Sequence, residues 1–352
     1  MYNLGDSTWK HQPPKMSFET FQTACGRIFE HCHNNNRKEV SLVMHGGEPM
    51  LVGLDTIKNY RSIVDEELTS KGIKADFGMQ TNGTIFSIEI ADFFLKSNTS
   101  LGVSLDGPPD VNNLHRVDHK GKGSSERIEK NLSLLLTDKY RHLFKGFLAV
   151  INVNADPVKV LEYLFSFNPP MVDLLFPDDN YDRRPKGKEE FIDSTLLGDW
   201  IIAAFDYWYH SNTSVRVRYF ENIIKLILGG DSDIETIGTS PADFIIVETN
   251  GDIELLDSLK GSFEGATKIG KNIFNDSFDD VANFYDVRSR QIGIEALCDE
   301  CKKCEIVNIC GGGYLPHRFS LQNNYNNPSV YCSDLKKIIS HVYNTISKEL
   351  VV

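Results

Sequence analysis

Five short apolar segments, each parted from the next by a single helical pattern, fill the first 180 residues of this chain. The segments are 39–45 (EVSLVMH), 75–81 (ADFGMQT), 100–106 (SLGVSLD), 146–152 (GFLAVIN) and 171–176 (MVDLLF). Between them, amphipathic spacing predicts helices over 54–70, 86–97, 124–138 and 156–166. A further helix over 18–33 precedes the first strand, with Ser17 as its N-cap and Phe18, Phe21, Ile28 and Phe29 at helical spacing. Strands separated by single helices imply parallel βαβ units, in an open sheet or a barrel. Such folds carry their chemistry at the C-terminal ends of the strands.

The polar residues follow that rule. His45-Gly46-Gly47-Glu48-Pro49 ends the first strand, Thr81-Asn82-Gly83-Thr84 the second, Ser104-Leu105-Asp106-Gly107 the third and Phe176-Pro177-Asp178-Asp179 the fifth. Each alone reads as a turn, because Gly, Asn, Asp and Pro are turn formers. Several at one edge of one sheet favour a site. Beyond them come helices near 190–211 and 217–229. A hairpin follows, turning at Asn250-Gly251 between FIIVET and DIELLD, and a last helix spans about 334–349. The division falls near residue 235, giving a first domain of 1–235 and a second of 236–352.

Five of the seven cysteines lie in the last fifth of the chain: Cys298, Cys301, Cys304, Cys310 and Cys332. Thiolates two residues apart turn onto one site, and a later cysteine completes a four-sulfur cage for an iron–sulfur cluster or a structural zinc. Disulfides are the bland alternative. The N-terminus is no signal peptide and no apolar run spans a bilayer, so the cysteines read as cytoplasmic and reduced. Cys25 and Cys32 share one helix face and read as small buried hydrophobes. With 37 basic and 49 acidic residues the net charge is −12, which argues against a general nucleic-acid surface. No nucleic-acid and no membrane partner is expected.

Gly46-Gly47-Glu48-Pro49, Asn82-Gly83, Ser104-x-Asp106 and Arg116, in this order on successive strand ends, resemble the radical S-adenosylmethionine (SAM) superfamily, in the branch with a C-terminal SPASM domain. The resemblance covers nearly the whole chain. It implies an α/β fold: a partial (β/α)6 TIM-like barrel lacking its first strand, plus a small C-terminal iron–sulfur domain. It also implies that His45, Gly46, Gly47, Glu48, Pro49 and Asn82 border S-adenosylmethionine, with the glycine edge and an acidic group at its ammonium. Ser104 and Asp106 would stand near the nucleoside, and Arg116 would meet the methionine carboxylate. Cys301, Cys304, Cys310 and Cys332 are similar to the ligand set of one auxiliary [4Fe–4S] cluster, with Cys298 left over as an extra thiol. Where relatives carry further cysteines for a second auxiliary cluster, this chain has Asp257 and Tyr314, so one auxiliary cluster is implied. Asp257 is singled out as a base or substrate contact.

The segment CGGGYLPHRFS is similar to maturases of ribosomally made peptides, particularly those that join an aromatic ring to a nearby side-chain carbon. Anaerobic sulfatase-maturating enzymes are more distant kin in this reading. The implied activity is oxidative maturation of a precursor peptide through a 5′-deoxyadenosyl radical, with a flavodoxin- or ferredoxin-type electron donor. His317 and Arg318 either face the peptide or pack the cysteine loop. The superfamily's Cys-x3-Cys-x2-Cys, which holds the cleaving [4Fe–4S] cluster, is not in these residues, and Tyr2-Asn3-Leu4-Gly5-Asp6 resembles the stretch just after it. The expectation is that this second cluster belongs only to an N-terminally complete form. The alternative is a truncated relative that binds a peptide or partner without catalysis.

Overall fold

A computed structural model describes residues 5–242, 244–284, 287 and 290–350; Tyr2, Asn3 and Leu4 lie outside the described residues. Six strands form one parallel sheet in chain order: β1 (Glu39–Met44), β2 (Lys74–Thr81), β3 (Ser100–Ser104), β4 (Phe144–Val150), β5 (Met171–Leu175) and β6 (Arg216–Val217). The sequence reading contains the first five and misses β6. That strand is two residues long, too short to show alternation, and exists because Arg216 and Val217 pair with Met171 and Val172. β1 and β6 stand at the two ends of the sheet, so it is open. Among the described residues no strand precedes α1 (Phe18–Asn34).

The crossover helices are α2 (Leu54–Glu67), α3 (Ile88–Ser97), α4 (Ser125–Leu135) and α5 (Pro157–Ser166). Local chemistry sets their starts. The Ser17 hydroxyl accepts from the Thr20 N–H at the head of α1, and Asp156 accepts from Val158 and Lys159 ahead of Pro157 in α5. Next come α6 (Leu196–His210) and α7 (Arg218–Ile227). α6 starts later than the periodicity suggests. The buried Lys188 ammonium draws in the carbonyls of Ile192 and Ser194, together with Asp334 at 2.8 Å, and keeps that stretch irregular.

The register divides the sheet into two faces. Met79, Leu101, Val103, Phe147, Val172 and Val217 are buried, and they join the main core with side chains of the surrounding helices. The opposite face carries Val43, Gly78, Gln80, Gly102, Ser104 and Gly146 in register. It is built from small or polar residues, and Val43 is 62% exposed. A Cβ on Gly102 would stand 2.1 Å from Gln80 Oε1, so a larger residue there would push the Gln80 amide aside.

A second, antiparallel sheet holds β7 (Ile246–Val247), β8 (Asp252–Glu254) and β9 (Lys268–Asn272). The Asn250-Gly251 hairpin forms as read, with Gly251 at φ +87°. β9 is missed because KIGKN carries no strand-like alternation. The closing helix α8 (Cys332–Leu350) returns to pack on α6 and α7. Its Ile338, Ile339 and Val342 are at most 1% exposed, and each such burial contributes about 1.5–3 kcal/mol. Among the described residues no helix is long and apolar enough to cross a membrane.

Candidate functional site

The turn after β1 is organised by Glu48. One carboxylate oxygen accepts from the Met50 N–H at 2.9 Å and the Thr81 hydroxyl at 2.8 Å; the other accepts from the Asn82 N–H at 2.7 Å. The first bond caps the short turn Pro49–Val52, with buried Pro49 at its first position. The other two pin the end of β2 to the end of β1. Glu48, expected beside the cofactor's ammonium, thus takes three protein donors in this structure. Asn82 likewise turns inward, accepting from the Thr84 N–H and hydroxyl. The glycines remain open. Gly46 has φ +128°, and a Cβ on Gly46 or Gly47 would meet nothing within 4 Å. A backbone edge with free space above it can take the polar head of a ligand.

On the next strand ends, Ser104 accepts a hydrogen bond from Gln80 Nε2 at 2.9 Å. Asp106 is 8% exposed and accepts two bonds from Arg116, Nε to Oδ2 at 2.7 Å and Nη2 to Oδ1 at 2.8 Å. Oδ1 also takes the Val150 N–H at 2.9 Å. Asp106 and Arg116, expected near the nucleoside and the methionine carboxylate, are here each other's partner, and with the Val150 bond they tie the loop after β3 to β4.

The C-terminal thiols surround a cavity of about 410 Å³ lined by Cys301, Cys304, Cys310 and Cys332. The first is carried by a one-turn helix over Asp299–Lys302, the third by another over Val307–Cys310, and Cys332 opens α8. Burial pushes the Cys310 thiol up to about 11, so a metal must displace its proton. Among the described residues no three cysteine sulfurs lie within 4.8 Å of one another. Four thiolates bound at about 2.3 Å to one zinc would sit roughly 3.8 Å apart. Four thiols around one cavity are a donor set that an iron–sulfur cluster or a structural zinc can take. Cys298 stays outside the lining and hydrogen-bonds Cys301.

Gly311, Gly312 and Gly313 all take positive φ, and a Cβ on Gly311 would lie 1.7 Å from the Gly238 carbonyl oxygen. Arg318 donates to the carbonyls of Gly311 at 2.8 Å, Gly312 at 3.0 Å and Gly313 at 2.5 Å. His317 is 2% exposed among Phe176, Tyr314 and Tyr331. Arg318 thus braces the cysteine loop, while His317 is packed among aromatic rings beside the end of β5.

No family model matches the chain. It is 25% identical over 344 residues to the cysteine-type anaerobic sulfatase-maturating enzyme of Clostridium novyi, covering 91% of this chain and 84% of that one. Among solved structures, native anSMEcpe with bound AdoMet superposes with a TM-score of 0.81 at 23% identity, over 95% of this chain and 89% of that one. SuiB of Streptococcus suis bound to the precursor peptide SuiA gives 0.53 at 15% identity, over 88% and 69%. This chain is a radical SAM/SPASM homologue. The α/β architecture expected for such a chain is the one observed.

The turns that follow β1 and β8 meet at His45 and Asp257. Nδ1 of His45, from the glycine-rich turn, stands 3.5 Å from Oδ2 of Asp257, which follows β8. Burial raises the Asp257 pKa, but the His45 hydrogen bond and the Lys260 charge outweigh it and hold the carboxyl below its ordinary range. Tyr314 has its hydroxyl 2.5 Å from Ser258 Oγ, and Glu235 beside it is paired with Arg290 at 2.8 Å. The sequence reading missed Gln80, Lys260 and the Asp173–Arg218 pair across β5 and α7. Gln80 carried a signal, lying two residues before Asn82 on the open face. The other two depend on partners from distant segments.

Proposed function

We propose that this protein is a radical SAM maturase whose substrate is a peptide. The carrying observation is the 3.5 Å approach of Asp257 to His45, which brings a carboxylate of the second domain to the glycine-rich turn of the first. S-adenosylmethionine, held beside a reducing [4Fe–4S] cluster, would supply the chemistry that removes a hydrogen atom from carbon. An auxiliary [4Fe–4S] cluster on Cys301, Cys304, Cys310 and Cys332 supplies a one-electron store.

The chain's own residues do the rest. The open edge of Gly46 and Gly47 receives the methionine head of the cofactor, with His45, Pro49 and Asn82 bordering it. The Ser104 hydroxyl, oriented by Gln80, faces the cofactor from the open side of the sheet. Once a peptide β-carbon has lost its hydrogen atom, completion of the oxidation removes one electron and one proton. Asp257 accepts the proton, and its low pKa keeps it ionised and ready. If the carbon radical joins an aromatic ring, the proton leaves that ring as aromaticity returns. If it oxidises its own side chain, the proton leaves the adjacent thiol or hydroxyl. The CGGGYLPHRFS segment supports the ring-joining branch, and the sulfatase-maturating relatives support the other. A flavodoxin- or ferredoxin-type protein is the proposed electron donor.

One observation favours a second reading, a peptide-binding relative without catalysis: the 352 residues contain no Cys-x3-Cys-x2-Cys. The test purifies the protein anaerobically from its own cells, measures its intact mass, and supplies S-adenosylmethionine, dithionite and peptides bearing Cys, Ser and aromatic residues. Peptide-dependent 5′-deoxyadenosine, with a peptide two hydrogens lighter or carrying a new aldehyde, supports the maturase. Peptide binding with no 5′-deoxyadenosine sinks it in favour of the second reading.

A further inference from the structure

Beneath Asp257 lies a lysine that has no part in the reading above. Lys260 is 1% exposed, and its ammonium is 2.6 Å from Glu248 Oε1, 3.0 Å from Asp257 Oδ1 and 3.6 Å from Glu254 Oε2. The three carboxylates come from three places: Glu248 from the hairpin turn, Glu254 from β8 and Asp257 from the turn after it. Their oxygens lie within 4.8 Å of one another. Three like charges that close need a cation among them, and the lysine supplies it.

The cage is itself held in place. Glu254 Oε2 accepts from the Thr267 hydroxyl at 2.6 Å, and Oε1 pairs with Lys268 at 2.5 Å. Lys268 also pairs with Asp252 at 3.0 Å. Glu254 is therefore committed to β9, and Lys260 is the group that passes this rigidity to Asp257. With Oδ1 fixed on Lys260, Oδ2 is the oxygen turned to His45.

We propose that Lys260 is a positioning residue: caged by Glu248 and Glu254, it orients the Asp257 carboxylate toward His45 and the open glycine edge, and keeps it ionised there. This rests on the reading of Asp257 as the proton acceptor. The charged groups facing Asp257 are His45, Lys260, Glu248 and Glu254, with Lys268 behind them. Burial opposes the charge of Lys260, but Asp257 and Glu248 outweigh it and hold its pKa above the ordinary lysine value. Asp257 is displaced the opposite way, downward. The lysine thus trades base strength in Asp257 for certainty of charge and aim.

The experiment follows the Asp257 carboxyl by 13C NMR titration of the full chain labelled at aspartate, with Asp257→Asn assigning the resonance. Lys260→Met is expected to raise the Asp257 midpoint by about 1–3 pH units. Lys260→Arg keeps the charge and is expected to keep the midpoint low. Glu248→Gln removes a competing anion and should leave it low or lower, which keeps the test decisive if Lys260→Met does not fold. Circular dichroism reports folding in each case. An unchanged Asp257 midpoint in folded Lys260→Met overturns the proposal, as does a raised midpoint in Glu248→Gln. The titration needs no turnover, so a protein that lacks 5′-deoxyadenosine formation but shows the expected shift refutes the maturase reading alone.

Discussion

Arg116 closes on Asp106 through two near-parallel hydrogen bonds, and the same Asp106 carboxylate takes the backbone N–H of Val150. Two residues whose pattern points to ligand binding are thus also tied to the scaffold. Bidentate pairs of this kind are strong because two charge-assisted bonds share one geometry. Removing one partner leaves the other charge poorly solvated. Asp106→Asn is expected to destabilise the fold by roughly 2–4 kcal/mol. Arg116→Lys should recover only part of the loss, because a lysine cannot form the fork. Urea midpoints of the two variants and the double variant measure the coupling. Additive effects would show that the pair is not the lock described.

The glycine-rich turn makes a contrast between neighbours. Gly46→Ala forces a side chain into φ +128° and should cost about 1–3 kcal/mol of stability. Gly47→Val adds bulk where nothing lies within 4 Å. It is expected to leave the melting temperature nearly unchanged and to weaken S-adenosylmethionine binding about tenfold or more, or some 1.4 kcal/mol. Calorimetric titration alongside thermal melts separates the two. Unaltered affinity in Gly47→Val would remove the cofactor from this edge.

The thiol cavity predicts an unequal response among five cysteines. Serine at Cys301, Cys304, Cys310 or Cys332 should each abolish a full complement of bound iron and sulfide after anaerobic reconstitution. Cys298→Ala should retain both, because its sulfur lies outside the cavity lining. Iron and acid-labile sulfide per chain, with the visible spectrum, decide the matter. One zinc per chain and no sulfide would favour the single-ion alternative.

His317 makes the fold sensitive to acid. Burial drives its pKa down to about 3, with the Arg318 charge acting in the same direction against a hydrogen bond to Pro177. A depressed folded-state value means the ring stays neutral in the native protein. Its contribution is fully present above the unfolded value near 6.5 and is lost as pH falls toward 3. From pH 6.5 to 4.5 the loss should reach about 2 kcal/mol. His317→Phe should be less stable at neutral pH, through the lost Pro177 bond, yet show a flatter decline of its urea midpoint over that window. Parallel declines in both proteins would assign the acid sensitivity elsewhere.

Much of this architecture is written in short-range pattern. The first five strands show as apolar runs, and the capped start of α1 as Ser17. The glycine turn and the cysteine spacing are local too, so each survives reading without coordinates. β6 and β9 escape the same reading because they are strands by virtue of their neighbours: two residues borrowed by Met171 and Val172, and a glycine-bearing stretch claimed by β8. Ionic partners escape it more thoroughly, since charge has no period. Glu48 and Asp106 stand just past the strand ends where the sequence puts them, and Arg116 beyond a short helix after β3, each with protein partners around it.

The sequence by itself determined the order of the first five strands and their helices, the glycine-rich turn and the set of thiols, because backbone propensity and turn chemistry act over a few residues. Only the tertiary structure decided which charges face a ligand and which face one another. A buried carboxylate takes the nearest donor in space, and for Asp257 those donors are His45, 212 positions away in the chain, and a lysine caged by the neighbouring strand.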